Sequence, residues 1–481
     1  MTSRRGFIKK TAAAIGAVTI VPSYVLFAKS AVVDSAGNVV KPAVIPPSDK
    51  INMAFCGIGN RGGQDVEGFN KTGLINTTVL CDVDMGGPQT IENMKAYPNA
   101  KKYQDFREMF NKSGKEFDAV CIGTPDFSHF PITILAMSLG KHVYTEKPLS
   151  RTFNESQLLI DAAKKYKVVT QMGNQGHSEA NYHQFKAWTE AGIIKDVTKI
   201  VAHMNGRRRW HSFDTNMVKF PPAMPIPATL DWDTWLMTAR AHDYNKDYID
   251  GQWRCWFDFG MGALGDWGAH IIDTAHQFLD LGLPYEVDPI RIVGHNPLFF
   301  PLASTLAFKF PERGKMPPVD IMWYDGLDNV PQLPEGFGTS ELDPNIPAPS
   351  KGELKPAKLN PGKEIYSKDL IFKGGSHGST LSIIPKEKAK EMESKLPEVP
   401  KSPSSHYENF IRAIHGTEKT NSRFEVSGPL SQVLCLGVIA QKLNTKIKFD
   451  RSTRQITNNK FANDLLVGIP PREGWEEYYK L

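Results

Sequence analysis

Ile51-Asn-Met-Ala-Phe-Cys-Gly-Ile-Gly-Asn-Arg-Gly62 is the stretch on which the fold of this 481-residue chain turns. A short apolar run ends in Gly57-x-Gly59-x-x-Gly62, and a polar, helix-compatible segment follows over residues 64–70. Read as strand, turn and helix, the glycines have separate tasks: Gly57 permits the tight turn, Gly59 lets backbone approach a pyrophosphate, and Gly62 allows helix and strand to pack closely. The loop residues Ile58, Asn60 and Arg61 then lie beside the ligand, and the helix N-terminus offers unpaired amides to its phosphates. The next apolar run, residues 77–81, ends at Asp82, twenty residues after Gly62, where a carboxylate can accept bonds from ribose hydroxyls. Val83 and Asp84 follow Asp82, with no arginine at once. That favours NAD over NADP, although Arg61 could still meet a 2′-phosphate.

Outward from this loop, strand and helix candidates alternate. Residues 117–122 suit a buried parallel strand and run into Gly123-Thr124-Pro125-Asp126-Phe127-Ser128-His129. A helix over 130–139 and a strand over 140–145 close on Glu146-Lys147-Pro148. A helix over 154–166 and a strand over 168–172 then complete a doubly wound unit, residues 51–175. Ligands of such sheets bind beyond the carboxyl ends of the strands, where Gly57, Asp82, Thr124, Pro125, Glu146, Lys147 and Asn174 fall. His129 and His177 are placed to line the same cleft. After residue 176 the texture becomes that of an α+β domain, to about residue 455, with strands expected over 199–204, 289–294, 306–310, 319–323 and 446–449. Ser405-x-x-Glu408 opens one helix as a capping box, and residues 429–443 form another. Residues 325–368 read as an irregular excursion and 456–481 as a C-terminal tail.

The net charge of +5 is small for this length and no basic stripe stands out, so no nucleic-acid footprint is present. Arg4-Arg5, Phe7 and a modestly apolar run over 11–28 resemble a twin-arginine export signal, residues 1–30, joined to the fold by a linker at 31–50. Gly16 and Pro22 interrupt the run, which is short for a spanning helix. The expectation is a periplasmic protein without a stable membrane span once the signal is processed. Five cysteines in apolar surroundings read as buried thiols, and their spacings are not those of a metal site.

Three groups of residues suit chemistry. Lys147, where a strand ends at a nicotinamide cleft, can donate to a substrate hydroxyl and stabilise the developing alkoxide. Asp266 and His270 share one helix face after the flexible approach of residues 260–265, so the carboxylate can orient an imidazole that serves as general base. Arg208 and Trp210, with Trp253 and Arg254, supply rings to stack on a sugar and guanidinium groups for its hydroxyls or carboxylates.

In this order, Gly57-Ile-Gly-Asn-Arg-Gly62, Asp82-Val-Asp84, Thr124-Pro-Asp-x-x-His129, Glu146-Lys-Pro148 and Gly265-Asp-x-Gly-x-His270 resemble the Gfo/Idh/MocA family. They look most like its exported members. The resemblance implies a Rossmann domain, then an open-faced, mostly antiparallel sheet that often supports homo-oligomers. It also implies a nicotinamide-dependent enzyme acting on a small carbohydrate or polyol. Lys147, Asp266 and His270 would be the catalytic trio, His270 also touching substrate, and the peptide before Pro148 would be cis.

An exported enzyme has no obvious free nicotinamide pool, so tight cofactor retention is expected. Regeneration then comes from a second substrate or from a redox-neutral cycle, as in a glycosidase, lyase or epimerase. The family's glycosidase branch carries Tyr-x-x-His where this chain has Asp266-x-x-x-His270. A non-catalytic sugar-binding module would not need Gly57, Gly59, Gly62, Lys147 and His270 together.

Overall fold

The computed structural model describes residues 49–205, 214–249, 251–326, 328–338 and 359–481, with a short antiparallel pair formed by Val32–Val33 and Val39–Val40. The export segment, Arg208 and Trp210 lie outside the described residues.

The first layer builds as the apolar runs dictate. Strands β1 (Ile51–Cys56), β2 (Ile75–Cys81), β3 (Lys101–Tyr103), β4 (Ala119–Ile122), β5 (His142–Glu146) and β6 (Thr170–Gly173) form one sheet in the order β3-β2-β1-β4-β5-β6. Every pairing in it is parallel, so each connection crosses over through a helix. These are α1 (Asn60–Lys71), α2 (Pro88–Ala96), α3 (Phe106–Ser113), α4 (His129–Ser138) and α5 (Phe153–Tyr166). Helix α5 starts with a reciprocal capping box: Thr152 Oγ1 accepts from Glu155 N and Glu155 Oε2 from Thr152 N, both at 3.1 Å. Strand order reverses between β1 and β4, and that switch point opens the crevice for a ligand.

The second layer follows α6 (Ala180–Glu190). Strands β7 (Lys199–Met204), β8 (Glu286–Val293), β9 (Ala303–Phe310), β10 (Val319–Asp325), β11 (Gly362–Tyr366), β12 (Ile371–Gly375), β13 (Ser382–Ile384), β14 (Ile447–Asp450) and β15 (Gln455–Ile456) form one sheet. Its order is β13-β12-β11-β7-β10-β9-β8-β14-β15, antiparallel except between β7 and β10. Alternation along the strands sends Ile200, Ala202, Leu306, Phe308, Ile321, Trp323, Ile365 and Phe372 to one face, where they join the core under the helices. Those helices are α7 (Trp232–Leu236), α8 (Gly262–Ile271) and α9 (Asp273–Phe278), with α10 (Lys386–Met392) beyond β13.

Three boundaries differ from the sequence expectation. The excursion at 325–368 ends in a true strand, β11, which pairs with β7 and β12. The chain also returns to the nucleotide half before it ends. Helix α11 (His406–Ile414) sets Tyr407 and Phe410 against Phe69, with ring centroids 4.8 and 5.9 Å apart. Helix α12 (Phe424–Leu443) joins both layers, Ser431 Oγ accepting from Leu149 N at 3.3 Å and Gln441 Nε2 donating to Ser304 Oγ at 2.7 Å. It is long and apolar enough to cross a membrane by length and composition, but 72% of its most apolar window is buried inside the protein.

The third difference is residues 456–481, which are no loose tail. After α13 (Lys460–Val467), Trp475 and Tyr478 pack on Phe106, and Tyr479 lies on Phe130 with ring centroids 4.7 Å apart. The Tyr479 hydroxyl also donates to Glu155 Oε1 at 2.7 Å. All five cysteines are buried free thiols.

Candidate active site

The crevice begins where β1 stops. Gly57 takes φ +76°, and its amide donates to Cys81 O at 2.8 Å, so the chain turns over the end of β2. A Cβ at position 62 would stand 2.0 Å from Gly57 O, so only glycine lets α1 come this near the strand end. Gly59 is the N-cap of α1 and no side chain caps the helix, leaving first-turn amides for an anion. Asp82 Oδ2 accepts from Ile58 N at 2.8 Å and Oδ1 from Asp84 N at 3.0 Å. Burial raises its pKa, while those two amides pull it back. Thr124 sets its Cγ2 against this turn, and its Oγ1 is buried without a hydrogen-bond partner among the described residues. A side-chain-free cradle, a carboxylate at the end of β2 and an orphaned hydroxyl together fit a dinucleotide.

Arg61 turns inward. Its Nε donates to Glu146 Oε1 at 3.1 Å, and its Nη2 reaches Asp65 Oδ1 and the Tyr407 hydroxyl, each at 2.7 Å. Burial alone would raise the Glu146 pKa, but Arg61 and Lys147 outweigh it and hold the carboxyl below its ordinary value. Two expected cofactor contacts have other partners here. His129 is buried with Nδ1 2.7 Å from Pro148 O and Nε2 2.8 Å from Thr124 O, so it ties two loops together and offers no free nitrogen to a ligand. Asn174 spans Asp273 and Ser422, donating to Asp273 Oδ2 at 3.3 Å and accepting from Ser422 Oγ at 2.6 Å.

Lys147 ends β5, and the Lys147–Pro148 peptide is cis. Its Nζ donates to Asp266 Oδ1 at 2.6 Å and to Asp266 O at 2.7 Å, with the two side chains 10% and 5% exposed. An ammonium carries three protons, so one remains for a substrate oxygen. Burial lowers the Lys147 pKa; Asp266 opposes that shift and Arg254 adds to it. Arg254 Nε lies 3.4 Å from the same Asp266 oxygen, and its guanidinium sits 3.9 Å over the Trp253 ring. Asp126 accepts from the amide of Met261, the N-cap of α8, at 3.0 Å, which joins the Thr124 loop to the helix that carries Asp266.

One turn along α8, His270 is 4% exposed, and its Nδ1 has no hydrogen-bond partner among the described residues. Burial, then His377, then Lys147 drive its pKa well below the ordinary imidazole value. Asp266 thus grips Lys147 and Arg254, and Lys147 and Asp266 are both among the charges acting on His270. The acid limb of kcat/KM should therefore lie below the ordinary imidazole pKa of about 6.5. Loss of the Lys147 proton should set an alkaline limb below the ordinary lysine value. A pH–rate profile measures both, and an acid limb at or above the free-imidazole value would place the base elsewhere.

Deeper in the cleft, His177 Nδ1 lies 3.1 Å from Asp273 Oδ2 and its Nε2 2.5 Å from Gln277 Oε1. Lys363, on the inward face of β11, is 1% exposed and its Nζ has no partner among the described residues. Burial lowers its pKa against the pull of Asp273. Neither Lys363 nor His377 was expected from the sequence. The Gly374-Gly375-Ser376-His377-Gly378 run, a histidine among glycines, was the one available sign of the latter.

Residues 51–174 match the family described as "Oxidoreductase family, NAD-binding Rossmann fold", and residues 179–292 its "C-terminal alpha/beta domain". A "Glycosyl hydrolase family 109 protein" of Shewanella pealeana is 28% identical over 176 residues, 34% of this chain and 37% of that protein. An "Alpha-N-acetylgalactosaminidase" of Shewanella oneidensis is 30% identical over 172 residues, again 34% of this chain and 37% of that one. The matched segment is thus little more than a third of these curated relatives' length. Among solved structures, the WlbA dehydrogenase of Bordetella pertussis in complex with NADH and UDP-GlcNAcA superposes with TM-score 0.53 at 15% identity, covering 83% of this chain and 99% of that one. The aldose-aldose oxidoreductase of Caulobacter crescentus complexed with glycerol gives TM-score 0.52 at 13% identity, covering 83% and 100%. At such identities the likeness is one of fold.

Proposed function

Because the chain belongs to the Gfo/Idh/MocA oxidoreductase family through both its Rossmann and its C-terminal α/β segments, we propose that it is a nicotinamide-dependent oxidoreductase acting on a hydroxyl of a sugar, polyol or glycoside. The observation that carries this reading is the Lys147 ammonium, fixed by two bonds to Asp266 with one proton to spare, and acting on the buried imidazole of His270, whose Nδ1 has no hydrogen-bond partner among the described residues. A bound nicotinamide supplies the hydride acceptor. The chain's own residues do the rest. Lys147 polarises the hydroxyl oxygen and lowers the energy of the alkoxide, His270 accepts the hydroxyl proton, and Asp266 fixes the ammonium in place.

Gly57, Gly59, Gly62 and the first turn of α1 would hold the pyrophosphate, and Asp82 the adenosine ribose. The inward commitment of Arg61 to Glu146, Asp65 and Tyr407 supports NAD over NADP, since it leaves that guanidinium no free fork for a 2′-phosphate. With the export reading of residues 1–30, the cofactor would stay bound through the catalytic cycle in the periplasm, in a homo-oligomer built on the second sheet.

A second reading is favoured by the names of the Shewanella relatives. A carbinol carbon that has given up hydride becomes a carbonyl and acidifies the neighbouring C–H. Loss of that proton lets a substituent two carbons from the carbonyl leave with its electron pair, water adds, and returning hydride restores the alcohol. The cycle is redox-neutral and would make the protein a glycosidase; without the addition of water it is a lyase, and return of the proton to the other face of the carbon without elimination makes it an epimerase. The Asp266-x-x-x-His270 element places it second.

A spectrum of the protein as purified, before and after addition of a panel of sugars and glycosides, separates the readings. Persistent reduced-nicotinamide absorbance indicates a dehydrogenase. Incorporation of solvent deuterium beside the oxidised carbon, without net absorbance change, indicates the neutral cycle. Sugar binding by protein that neither carries nor takes up a dinucleotide would sink both and leave a binding module.

A further inference from the structure

His270 is not alone in its cage. The ring of His377 lies on its face, with centroids 3.9 Å apart and planes 20° from parallel. His377 belongs to the turn after β12, takes φ +50°, and has Ser376 Oγ 2.9 Å from its Nδ1. The indole of Trp267, on the same helix as His270, meets the His377 ring edge-on at 5.5 Å. The turn reaches α8 because residue 176 has no side chain: a Cβ at Gly176 would stand 2.4 Å from the His377 carbonyl carbon and 2.7 Å from its Cα. A turn from the second sheet, a helix bearing the base, and the end of the Rossmann sheet therefore converge on one pair of imidazoles.

Two imidazoles in face contact do not both carry a proton without strong repulsion, so the pair titrates as a unit and its first proton goes to the better-solvated ring. His377 is only half-buried and its Nδ1 has a hydroxyl partner, whereas His270 is buried with Nδ1 unpartnered. Among the described residues, the other charged groups acting on His270 are Asp266 from its own helix, Lys147 from the end of β5 and Arg61 from α1. Of these only Asp266 would attract a proton to the imidazole, and its carboxylate is already engaged by Lys147 and Arg254.

We propose that His377 is a positioning residue that takes up the first proton of the pair, keeping His270 uncharged and ready to accept the substrate's hydroxyl proton. This rests on His270 as the base, so it deepens the proposed function. The ring also covers one face of the base, leaving the substrate to approach from the edge or the opposite face.

The test uses the whole purified protein and two variants, His377→Phe, which keeps a flat ring, and His377→Asn, which keeps a polar side chain; neither can take a proton. His270 is followed by NMR titration of labelled imidazoles, with His270→Gln giving the assignment, and kcat/KM is measured against pH with whichever sugar reduces the bound cofactor. In both variants His270 should titrate higher, and the acid limb of kcat/KM should move up by about one pH unit, with the loss of rate concentrated on the acid side. A uniform fall in kcat with His270 titrating as before would make His377 a packing residue and overturn the proposal. If one variant fails to fold, the other decides. If no sugar is turned over, the functional reading is in trouble, while the titration of His270 still passes judgement on His377.

Discussion

Lys147→Met should cut the rate of cofactor reduction by about 10²–10⁴-fold while leaving the bound dinucleotide in place. Methionine preserves the length and apolar stem of the side chain but supplies none of its three protons. Two of those protons hold Asp266, at 2.6 and 2.7 Å, and the third is the only donor of this ammonium left for a substrate oxygen. Lys147→Arg should fare little better, because a planar fork cannot place one donor on Asp266 Oδ1, another on its backbone oxygen and still point a third into the cleft. Single-turnover spectroscopy of the bound cofactor measures the effect. A Lys147→Met protein that reduces its cofactor within a few-fold of the parent rate would remove this lysine from the chemistry.

Gly62→Ala should abolish dinucleotide retention and weaken the fold. The added methyl would lie 2.0 Å from Gly57 O and 2.8 Å from Gly57 C, so α1 and the end of β1 must part by more than an ångström. Forced overpacking of this kind costs about 1–3 kcal/mol, and the displaced loop carries the Ile58 amide away from Asp82. Gly59→Ala makes the sharper control. Its Cβ would meet nothing closer than Thr90 Oγ1 at 3.4 Å, so the fold should survive while the space beside the phosphates narrows. Cofactor content after gel filtration and thermal unfolding of the two variants give the comparison. Equal cofactor content in Gly62→Ala and parent protein would show that the loop is not the phosphate cradle.

The nucleotide half was legible because its central strands are short apolar runs that lead into distinctive residues, whereas the edge strand β3, Lys101-Lys102-Tyr103, is polar and largely exposed. β1 leads to Gly57, β2 to Asp82 and β5 to Lys147, so fold and candidate site could be read from the same positions. β11 was hidden for the opposite reason. Lys363 and Glu364 look like surface residues in a Gly/Pro-rich stretch, yet they are 1% and 0% exposed. Glu364 Oε1 lies 3.0 Å from His203 Nε2 across the sheet, a pairing over 161 positions that no local pattern announces. Asp266 and His270 were found through their spacing on one helix. Arg254 was found as an aromatic–basic neighbour and not as the second cation on Asp266. His377 lies 107 positions from the ring it covers, as the numbering shows, and only the packing of α8 against the turn after β12 brings them together.

The aromatic residues at 475–479 carry a consequence for how the nucleotide half is held together. Phe106 on α3 and Phe130 on α4 are covered by Trp475, Tyr478 and Tyr479, so two Rossmann helices finish their packing against residues far along the chain. Tyr479 also completes the bonding of Glu155, the acid that starts α5. The half that would receive the dinucleotide thus completes its packing with residues 475–479 in place. Packing of its outer helices is thereby coupled to a segment that follows the second sheet in sequence.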